Sequence, residues 1–241
     1  MRPLTPRSLS AIRTALASAS KLPSLSSVDK RQTAAILVPL CNVRDTPGIL
    51  LQVRSRALRS HSGEISCPGG KVDELDASLW DTAVRETTEE LGIPRNRIEH
   101  LGAFGPPEQS LRGDIVWPFV GFVHAENCPA SDDDDAPLAS INLSNLSSSP
   151  DEVAFVFHLP LAELVNPDRL RPYLFRNHRP YSAIDVSDLL PKNSGVSSVS
   201  IEKSQMNKVG QSRNGRTAEV WGLTGWYMSL LSSSLAPVLC K

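Results

Sequence analysis

The stretch that most constrains this chain is residues 69–92, which join a paired glycine turn, an acidic loop and a helix. Ser78 is placed to cap the start of the helix, and Gly92 supplies the left-handed residue that closes it. At about 100° per residue, the side chains of the helix that are expected to pack fall on one stripe. That stripe consists of Trp80, Val84, Thr87 and Leu91.

Three glutamates lie on the opposite face of the same predicted helix. Glu86, Glu89 and Glu90 have i, i+3, i+4 spacing, at which like charges repel by roughly 0.2–0.5 kcal/mol per pair. A divalent cation removes that repulsion, and Mg²⁺ prefers oxygen ligands, with waters and substrate phosphates completing its octahedron. Arg85 lies one turn after Asp81 and one turn before Glu89, so we expect it to hold acidic groups in position. By itself the string is also typical of a solvated helix face with ion pairs.

The wider spacing resembles the Nudix box, G-x5-E-x7-R-E-U-x-E-E-x-G-U, in which U is apolar. The matching residues are Arg85, Glu86, Glu89, Glu90, Gly92 and Ile93. Asp76 stands in place of the first glutamate of the box, with eight residues rather than seven before Arg85, and Thr87 occupies the first apolar position. The longer spacing resembles that of the coenzyme A diphosphatase subgroup of the family, GGK-x4-D-x8-R-E-x2-E-E.

A second informative string, residues 51–70, reads LQVRSRALRSHSGEISCPGG and leads directly into the box. Its cationic residues suit phosphate binding, because the planar fork of arginine grips phosphate oxygens in pairs. A solvated basic loop would have the same composition. The string resembles the motif that precedes the box in coenzyme A diphosphatases, with Glu64 and Cys67 where Gln and Phe are frequent. The matches are Arg54, Ser55, Leu58, Arg59, His61, Gly63, Pro68, Gly69 and Gly70.

The resemblance implies a Nudix-type α/β/α sandwich of the α/β (α+β) class, in which a mixed β-sheet lies between helices. It implies Mg²⁺- or Mn²⁺-dependent hydrolysis of the diphosphate of coenzyme A or acyl-coenzyme A. The products would be (acyl-)4′-phosphopantetheine and adenosine 3′,5′-bisphosphate. Two alternatives stay open: a Nudix diphosphatase acting on ADP-ribose, NADH or another nucleoside diphosphate derivative, and a binding module without catalysis. Retention of the three glutamates favours an enzyme.

The same resemblance implies a role for each motif residue. The metal ligands would be Glu86, Glu89 and Glu90. Arg85 would orient these carboxylates, and the catalytic base stays open between Glu89 and Glu152, which precedes a predicted strand. The substrate would be bound by Arg54, Arg59 and His61 through its phosphates and by Gly69 and Gly70, which let the backbone approach closely.

Composition narrows the partners of the chain. Its 241 residues are 40% hydrophobic, and 25 basic against 26 acidic residues give a net charge of −1, which disfavours nucleic acid as the principal partner. No apolar run reaches the length of a membrane span. The four cysteines form no C-x-x-C pair, so we expect no zinc site and a reducing compartment. The expected partner is a small-molecule substrate, and the oligomeric state is left open.

The domain organisation follows from shifts in composition. Residues 1–31 are basic and serine-rich, which is typical of either a mitochondrial transit peptide or an amphipathic first helix. Residues 32–235 form the predicted Nudix hydrolase domain, with insertions at about 125–150 and 187–218, the first expected to be mobile surface. No secretory signal is apparent, so we expect an intracellular location. The C-terminal residues are not of the SKL type, and mitochondrion, peroxisome and cytosol stay open.

Apolar runs elsewhere predict strands and a closing helix. The first two strands are expected to form a hairpin through a turn at 46–48, and Pro118 predicts an edge or a bulge in its strand. The predicted strands are residues 34–40, 49–53, 98–104, 115–124 and 152–158, followed by a hairpin within 170–184 and a helix at about 226–235.

Overall fold

A computed structural model of the chain describes residues 1–17, 22–58, 60–126, 133–191 and 218–239. Arg59, one of the predicted substrate-binding residues, lies outside the described residues. Most of the insertion predicted at 187–218 also lies outside them.

The elements follow one another in an order that broadly matches the sequence prediction. The helices are α1 (Pro6–Leu16), α2 (Leu79–Leu91) and α3 (Gly222–Leu239). The strands are β1 (Thr33–Val43), β2 (Thr46–Arg54), β3 (Ile65–Ser66), β4 (Gly69–Lys71), β5 (Ile98–Ala103), β6 (Glu108–Gln109), β7 (Ile115–Val123), β8 (Val153–Pro160), β9 (Leu170–Phe175), β10 (Arg179–Asp185) and β11 (Glu219–Val220). Short 3-10 turns occupy Leu25–Ser27, Lys30–Gln32, Arg95–Arg97, Leu143–Asn145 and Leu161–Leu164.

Within the described residues, a mixed sheet of eight strands forms the centre of the molecule. Its main path runs β3–β2–β1–β7–β5, with β4 also paired to β1, β6 to β7 and β8 to β2. β1 and β7 are parallel, whereas the other neighbours in this sheet are antiparallel. β9, β10 and β11 form a second, antiparallel sheet.

Alternation of side chains along the central strands divides the core into two layers. Leu37 and Leu50 pack in the layer that contains the apolar face of α2. Val38 and Leu51 pack in the opposite layer, with buried residues of α1, α3 and the second sheet. The result is a sheet between layers of helices, and the predicted fold class is confirmed.

The turn between β1 and β2 lies two residues earlier than predicted. Arg44 and Asp45 form it, with φ angles of 49° and 60°, whereas residues 46–48 already belong to β2. Positive φ at both central residues matches the right-handed twist of a hairpin, which explains the two-residue connection. Gly48 instead serves packing, because a Cβ there would lie 2.1 Å from Nε2 of His158.

Pro118 lies in an interior strand, so the edge is wrong as the first of the two predicted positions, whereas the pairing of β5 with β7 does contain an irregularity between His100 and Gly102. β7 runs between β1 and β5, and the carbonyl of Pro118 accepts a hydrogen bond from the N–H of Phe104 at 3.2 Å on the β5 side. On that side, β7 pairs with β6 as far as Val116 and with β5 from Phe119 onward. Proline is tolerated because its missing N–H falls where the neighbouring strand changes.

The N-terminal residues form a helix that packs on the core. Leu9, Ile12 and Leu16 of α1 are each at most 2% exposed. The segment before the helix is anchored by Asn42, whose Oδ1 accepts from the N–H of Leu4 at 2.8 Å and whose Nδ2 donates to the carbonyl of Leu4 at 3.0 Å. α1 therefore completes the apolar layer that also contains α3.

The described part of the first insertion, residues 133–150, differs from the mobile surface that its composition predicts. Ile141 is 4% exposed, and its N–H donates to the carbonyl of Asn42 at 2.8 Å. The N–H of Ser149 donates to the carbonyl of Glu90 at 3.1 Å. These few contacts attach the segment to both β1 and α2. They could not be predicted from its composition, which is mostly polar.

The closing helix begins four residues before the predicted start. The N–H of Gly222, its first residue, donates to the hydroxyl oxygen of Tyr181 at 2.9 Å. This bond satisfies one of the N–H donors that a helix start leaves without a partner in the helix. Within the described residues, no helix combines the length and the hydropathy that crossing a membrane requires.

We expect Ile12→Ala to lower the free energy of unfolding by about 2–5 kcal/mol, because it opens a cavity under α1. Ser10→Ala changes an exposed residue of the same helix and should stay within about 0.5 kcal/mol of the parent. Chemical denaturation measures both values. Equal, small losses in the two variants would show that α1 does not stabilise the domain.

Burial lowers the pKa of His158 from its ordinary value of 6.5 to about 4. As the pH falls, His158 is therefore protonated in the unfolded chain before it is protonated in the folded chain. Its effect on the free energy of unfolding is absent well above pH 6.5, and that free energy decreases as the pH falls from 6.5 toward 4. We expect His158→Gln to reduce the loss of unfolding free energy between pH 7 and 5 by on the order of 1 kcal/mol. An unchanged acid sensitivity in denaturation curves would contradict this role for His158.

Candidate active site

Local capping fixes where α2 begins and ends. Oγ of Ser78 accepts a hydrogen bond from the N–H of Asp81 at 3.1 Å, and Gly92 closes the helix with φ of 68°. Both predictions are confirmed. The helix then presents its last turns to the glycine turn of β4, which pairs with the start of β1.

Arg85 connects the loop after β4 to the acidic residues of α2. Its Nε and Nη2 donate to the two carboxylate oxygens of Asp76 at 3.0 and 3.1 Å, and Nη2 also donates to the carbonyl of Lys71 at 2.9 Å. Its Nη1 donates to Oε1 of Glu86 at 2.9 Å and to Oε2 of Glu89 at 3.1 Å. One guanidinium therefore fixes the loop and two of the three glutamates together.

Asp76 is the fixed end of this connection. Burial alone would raise the pKa of Asp76, but hydrogen bonds from Arg85, from the backbone and from Thr82 outweigh it and lower the pKa. Oγ1 of Thr82 donates to Oδ2 of Asp76 at 2.8 Å. The expected contact between Arg85 and Asp81 is absent from the described structure, because Asp81 pairs with Arg95.

Glu90 is buried, at 2% exposed, rather than on an open face with the other two glutamates. Its Oε2 accepts from the N–H of Gly69 at 2.9 Å, and its Oε1 lies 3.6 Å from Nη1 of Arg54. Burial raises the pKa of Glu90 to about 7. Helical geometry explains the position, because Glu90 is roughly 60° from Thr87 around the helix and borders the apolar stripe.

Glu86 lies between the buried and open parts of the cluster. Burial raises the pKa of Glu86, and the nearby charges of Glu89 and Glu152 raise it further. Gly70 is required beside it, because a Cβ at Gly70 would lie 2.4 Å from Cδ of Glu86. Glu152 is exposed, and its backbone carbonyl accepts a hydrogen bond from the N–H of Ser55 at 2.8 Å.

The basic loop connects β2 to β3 and is closed by backbone hydrogen bonds. Arg54 donates its N–H to the carbonyl of Glu64 at 2.9 Å and accepts from Gly63 at 3.0 Å. The side chain of Arg54 enters the acidic cluster, and its buried Nε has no hydrogen-bond partner among the described residues. His61 has φ of 55° and its Nδ1 lies 2.8 Å from Oε2 of Glu64, so its ring contacts its own loop.

One structural pair near the site escaped the sequence analysis. Nζ of Lys71 lies 2.8 Å from Oδ1 of Asp114, which joins β4 to the start of β7 across β1. Lys71 belongs to the GGK string, and this string was the signal in the sequence that could have drawn attention to Lys71. Its partner could not be identified without knowing that β4 and β7 lie on either side of β1.

The carboxylates form an open acidic site. In the part of the chain that the structure describes, they do not form a ready-made group of three metal ligands. Glu86 and Glu89 share Arg85, and Glu90 contacts Gly69, so the site offers a few oxygens beside a glycine turn. This arrangement fits Mg²⁺, which usually takes one or two carboxylates and keeps waters and substrate phosphates.

Comparison with known proteins gives both relatives and a family. An uncharacterized Nudix hydrolase named NudL from Cronobacter sakazakii is 40% identical over 149 residues, covering 62% of this chain and 67% of that protein. The NudL of Klebsiella pneumoniae subsp. pneumoniae is 38% identical over 150 residues, covering 62% of this chain and 68% of its own. A crystal structure of a MutT/nudix family protein from Enterococcus faecalis has 21% identity and a TM-score of 0.37, covering 72% of this chain and 58% of that chain.

The family model described as the NUDIX domain matches residues 30–179, which include the sheet from β1 onward, the basic loop and α2. This match covers more than half of the chain and contains the whole acidic cluster. The chain belongs to the Nudix hydrolase family.

Proposed function

We propose that this Nudix hydrolase cleaves the diphosphate of coenzyme A or acyl-coenzyme A. The products are 4′-phosphopantetheine, or its acylated form, and adenosine 3′,5′-bisphosphate. Water adds to one phosphorus of the diphosphate while the bond from that phosphorus to the bridging oxygen breaks.

The observation that carries the proposal is the contact between Arg54 and Glu90. Arg54 belongs to the string that resembles the coenzyme A motif, and Glu90 belongs to the Nudix box. Their side chains lie 3.6 Å apart, although 36 positions separate them in the chain. The two motifs therefore contribute to one site, in which a guanidinium lies beside the acidic cluster that would hold the metal.

The acidic residues of α2 supply the cation site in this proposal. Glu86, Glu89 and Glu90 hold Mg²⁺ or Mn²⁺, with the backbone at Gly69 and Gly70 close enough to approach the phosphates. When bound, the cation neutralises phosphate charge, polarises the phosphorus and lowers the pKa of a coordinated water. Arg85 positions Glu86 and Glu89 through the hydrogen bonds described above.

The proton acceptor for the attacking water is proposed to be Glu152. Glu89, the other candidate, already accepts a hydrogen bond from Nη1 of Arg85 on its Oε2 at 3.1 Å, so that oxygen is occupied. Glu152 is exposed, and it lies close enough to Glu86 for its charge to raise the pKa of that carboxyl. A carboxylate that is accessible and adjacent to the metal site suits general-base catalysis.

Substrate selectivity tests the proposal directly. We expect kcat/KM for coenzyme A to exceed that for dephospho-coenzyme A, NADH and ADP-ribose, because fixed cations beside the diphosphate site recognise the additional phosphate. Initial rates with Mg²⁺ and separation of the products measure this order. Faster turnover of ADP-ribose or NADH than of coenzyme A would assign the enzyme to the other class of nucleoside diphosphate derivatives.

We expect Glu90→Gln to fold normally and to lower kcat by about two orders of magnitude or more, because it removes a charged oxygen ligand while keeping a side chain of the same shape. Glu126→Gln, at an exposed residue paired with Arg97, is the matched control and should keep parental activity. Melting temperature and initial rates compare the variants. Full activity of Glu90→Gln would remove Glu90 from the metal site.

A further inference from the structure

The turn between β6 and β7, residues 110–114, has a closely hydrogen-bonded backbone. The N–H of Ser110 donates to the carbonyl of Asp114 at 2.7 Å, and the N–H of Gly113 donates to the carbonyl of Ser110 at 3.1 Å. Oγ of Ser110 accepts from the N–H groups of Arg112 and Asp114 at 3.2 and 3.1 Å. The backbone that carries Arg112 is therefore fixed.

The turn is anchored to other parts of the fold on both sides. On one side, Arg179 donates to the two carboxylate oxygens of Glu108 at 2.5 and 2.8 Å, and its guanidinium lies 4.6 Å from the ring centroid of Trp226. On the other side, Lys71 pairs with Asp114 at 2.8 Å. The second sheet and α3 thereby hold one side of the turn, and β4 holds the other through Lys71, whose carbonyl also accepts from Arg85.

The side chain of Arg112 reaches from this turn to the basic loop. Its Nη2 contacts Oγ of Ser60, six residues after Arg54 in the loop between β2 and β3. Ser60 is a neutral partner, and Arg112 forms no ion pair with a carboxylate among the residues that the structure describes. Its positive charge, on an exposed side chain, remains available to a ligand.

The loop thus has cations in two different positions. Arg54 lies 3.6 Å from Glu90, beside the site that would hold the metal and the diphosphate. Arg112 meets the loop at Ser60, six residues farther along the chain, and its side chain is exposed; we call this exposed position the rim. A ligand with a diphosphate and a separate phosphate matches two such positions, and guanidinium groups bind phosphate through two parallel hydrogen bonds.

We infer that Arg112 is a substrate-binding residue that recognises the phosphate of the substrate remote from the hydrolysed diphosphate. The inference rests on the proposed function, because it assigns the 3′-phosphate of coenzyme A to the rim. Arg112 lies outside both sequence motifs, and its place at the site depends on the β6–β7 turn. The contact with Oγ of Ser60 holds the guanidinium at the loop.

The test compares two ligands that differ only in the peripheral phosphate. Calorimetry with Mg²⁺ measures the affinities of adenosine 3′,5′-bisphosphate and AMP for the parent, Arg112→Ala and Arg112→Lys. We expect Arg112→Ala to weaken the bisphosphate roughly 10- to 100-fold and to change AMP less than about twofold. Arg112→Lys should recover part of the loss, because it keeps the charge and loses the fork.

Arg7→Ala is the control for loss of one exposed arginine, since Arg7 lies in α1 and pairs with Asp135 of the first insertion. It should change neither affinity. An unchanged bisphosphate affinity in Arg112→Ala, an equal loss for both ligands, or a parent that does not prefer the bisphosphate to AMP would each overturn the inference. Melting temperatures of all variants identify any loss of affinity that comes from unfolding. If Arg112→Ala is unfolded, the bisphosphate affinity of Arg112→Lys decides between the outcomes.

Turnover separates this inference from the proposed function. Coenzyme A hydrolysis with an unchanged KM and bisphosphate affinity in Arg112→Ala would leave the function standing and reject the role of Arg112. A parent that hydrolyses only substrates without a 3′-phosphate would reject the function. In that case a selective loss of bisphosphate binding in Arg112→Ala would still support the rim site.

Discussion

The guanidinium of Arg85 is the interaction on which the rest of the site depends. It binds Asp76 and the Lys71 carbonyl in the loop after β4, and Glu86 and Glu89 on α2. Several carboxylates held close together repel one another, and a partly buried cation offsets that repulsion before any metal binds. Because Asp76 is itself buried and bound to Thr82, Arg85 has a fixed support rather than a flexible one.

Glu90 differs from the other glutamates because the fold buries it under the glycine turn. Its pKa of about 7 shows the cost of keeping a carboxylate charged at that depth. The N–H of Gly69 and the side chain of Arg54 reduce that cost, and an added divalent cation would reduce it further. The proposed metal site therefore combines one buried carboxylate with others that open toward solvent, and the basic loop reaches the same point from β2.

Local patterns predicted much of the fold, whereas long-range pairing decided the rest. The caps at Ser78 and Gly92 depend on neighbouring residues alone, so the limits of α2 could be read from the sequence. The position of Pro118 in an interior strand depends on where β6 gives way to β5, which no local pattern reveals. In the site, helical spacing brought Glu86 and Glu89 together, but it did not predict that Glu90 is buried under the glycine turn. The partners of Lys71 and Arg112 could not be predicted either, because they come from segments that only the folded sheet brings together.

The central claim is that the acidic cluster and the basic loop act together on the diphosphate of coenzyme A. The most direct measurement is mass analysis of the products formed from coenzyme A by the purified protein in ¹⁸O-labelled water, with Mg²⁺ and with a chelator. The account predicts 4′-phosphopantetheine and adenosine 3′,5′-bisphosphate, one of them carrying ¹⁸O on phosphorus, only when the cation is present. Intact coenzyme A with Mg²⁺, or loss of the 3′-phosphate with the diphosphate unbroken, would contradict it.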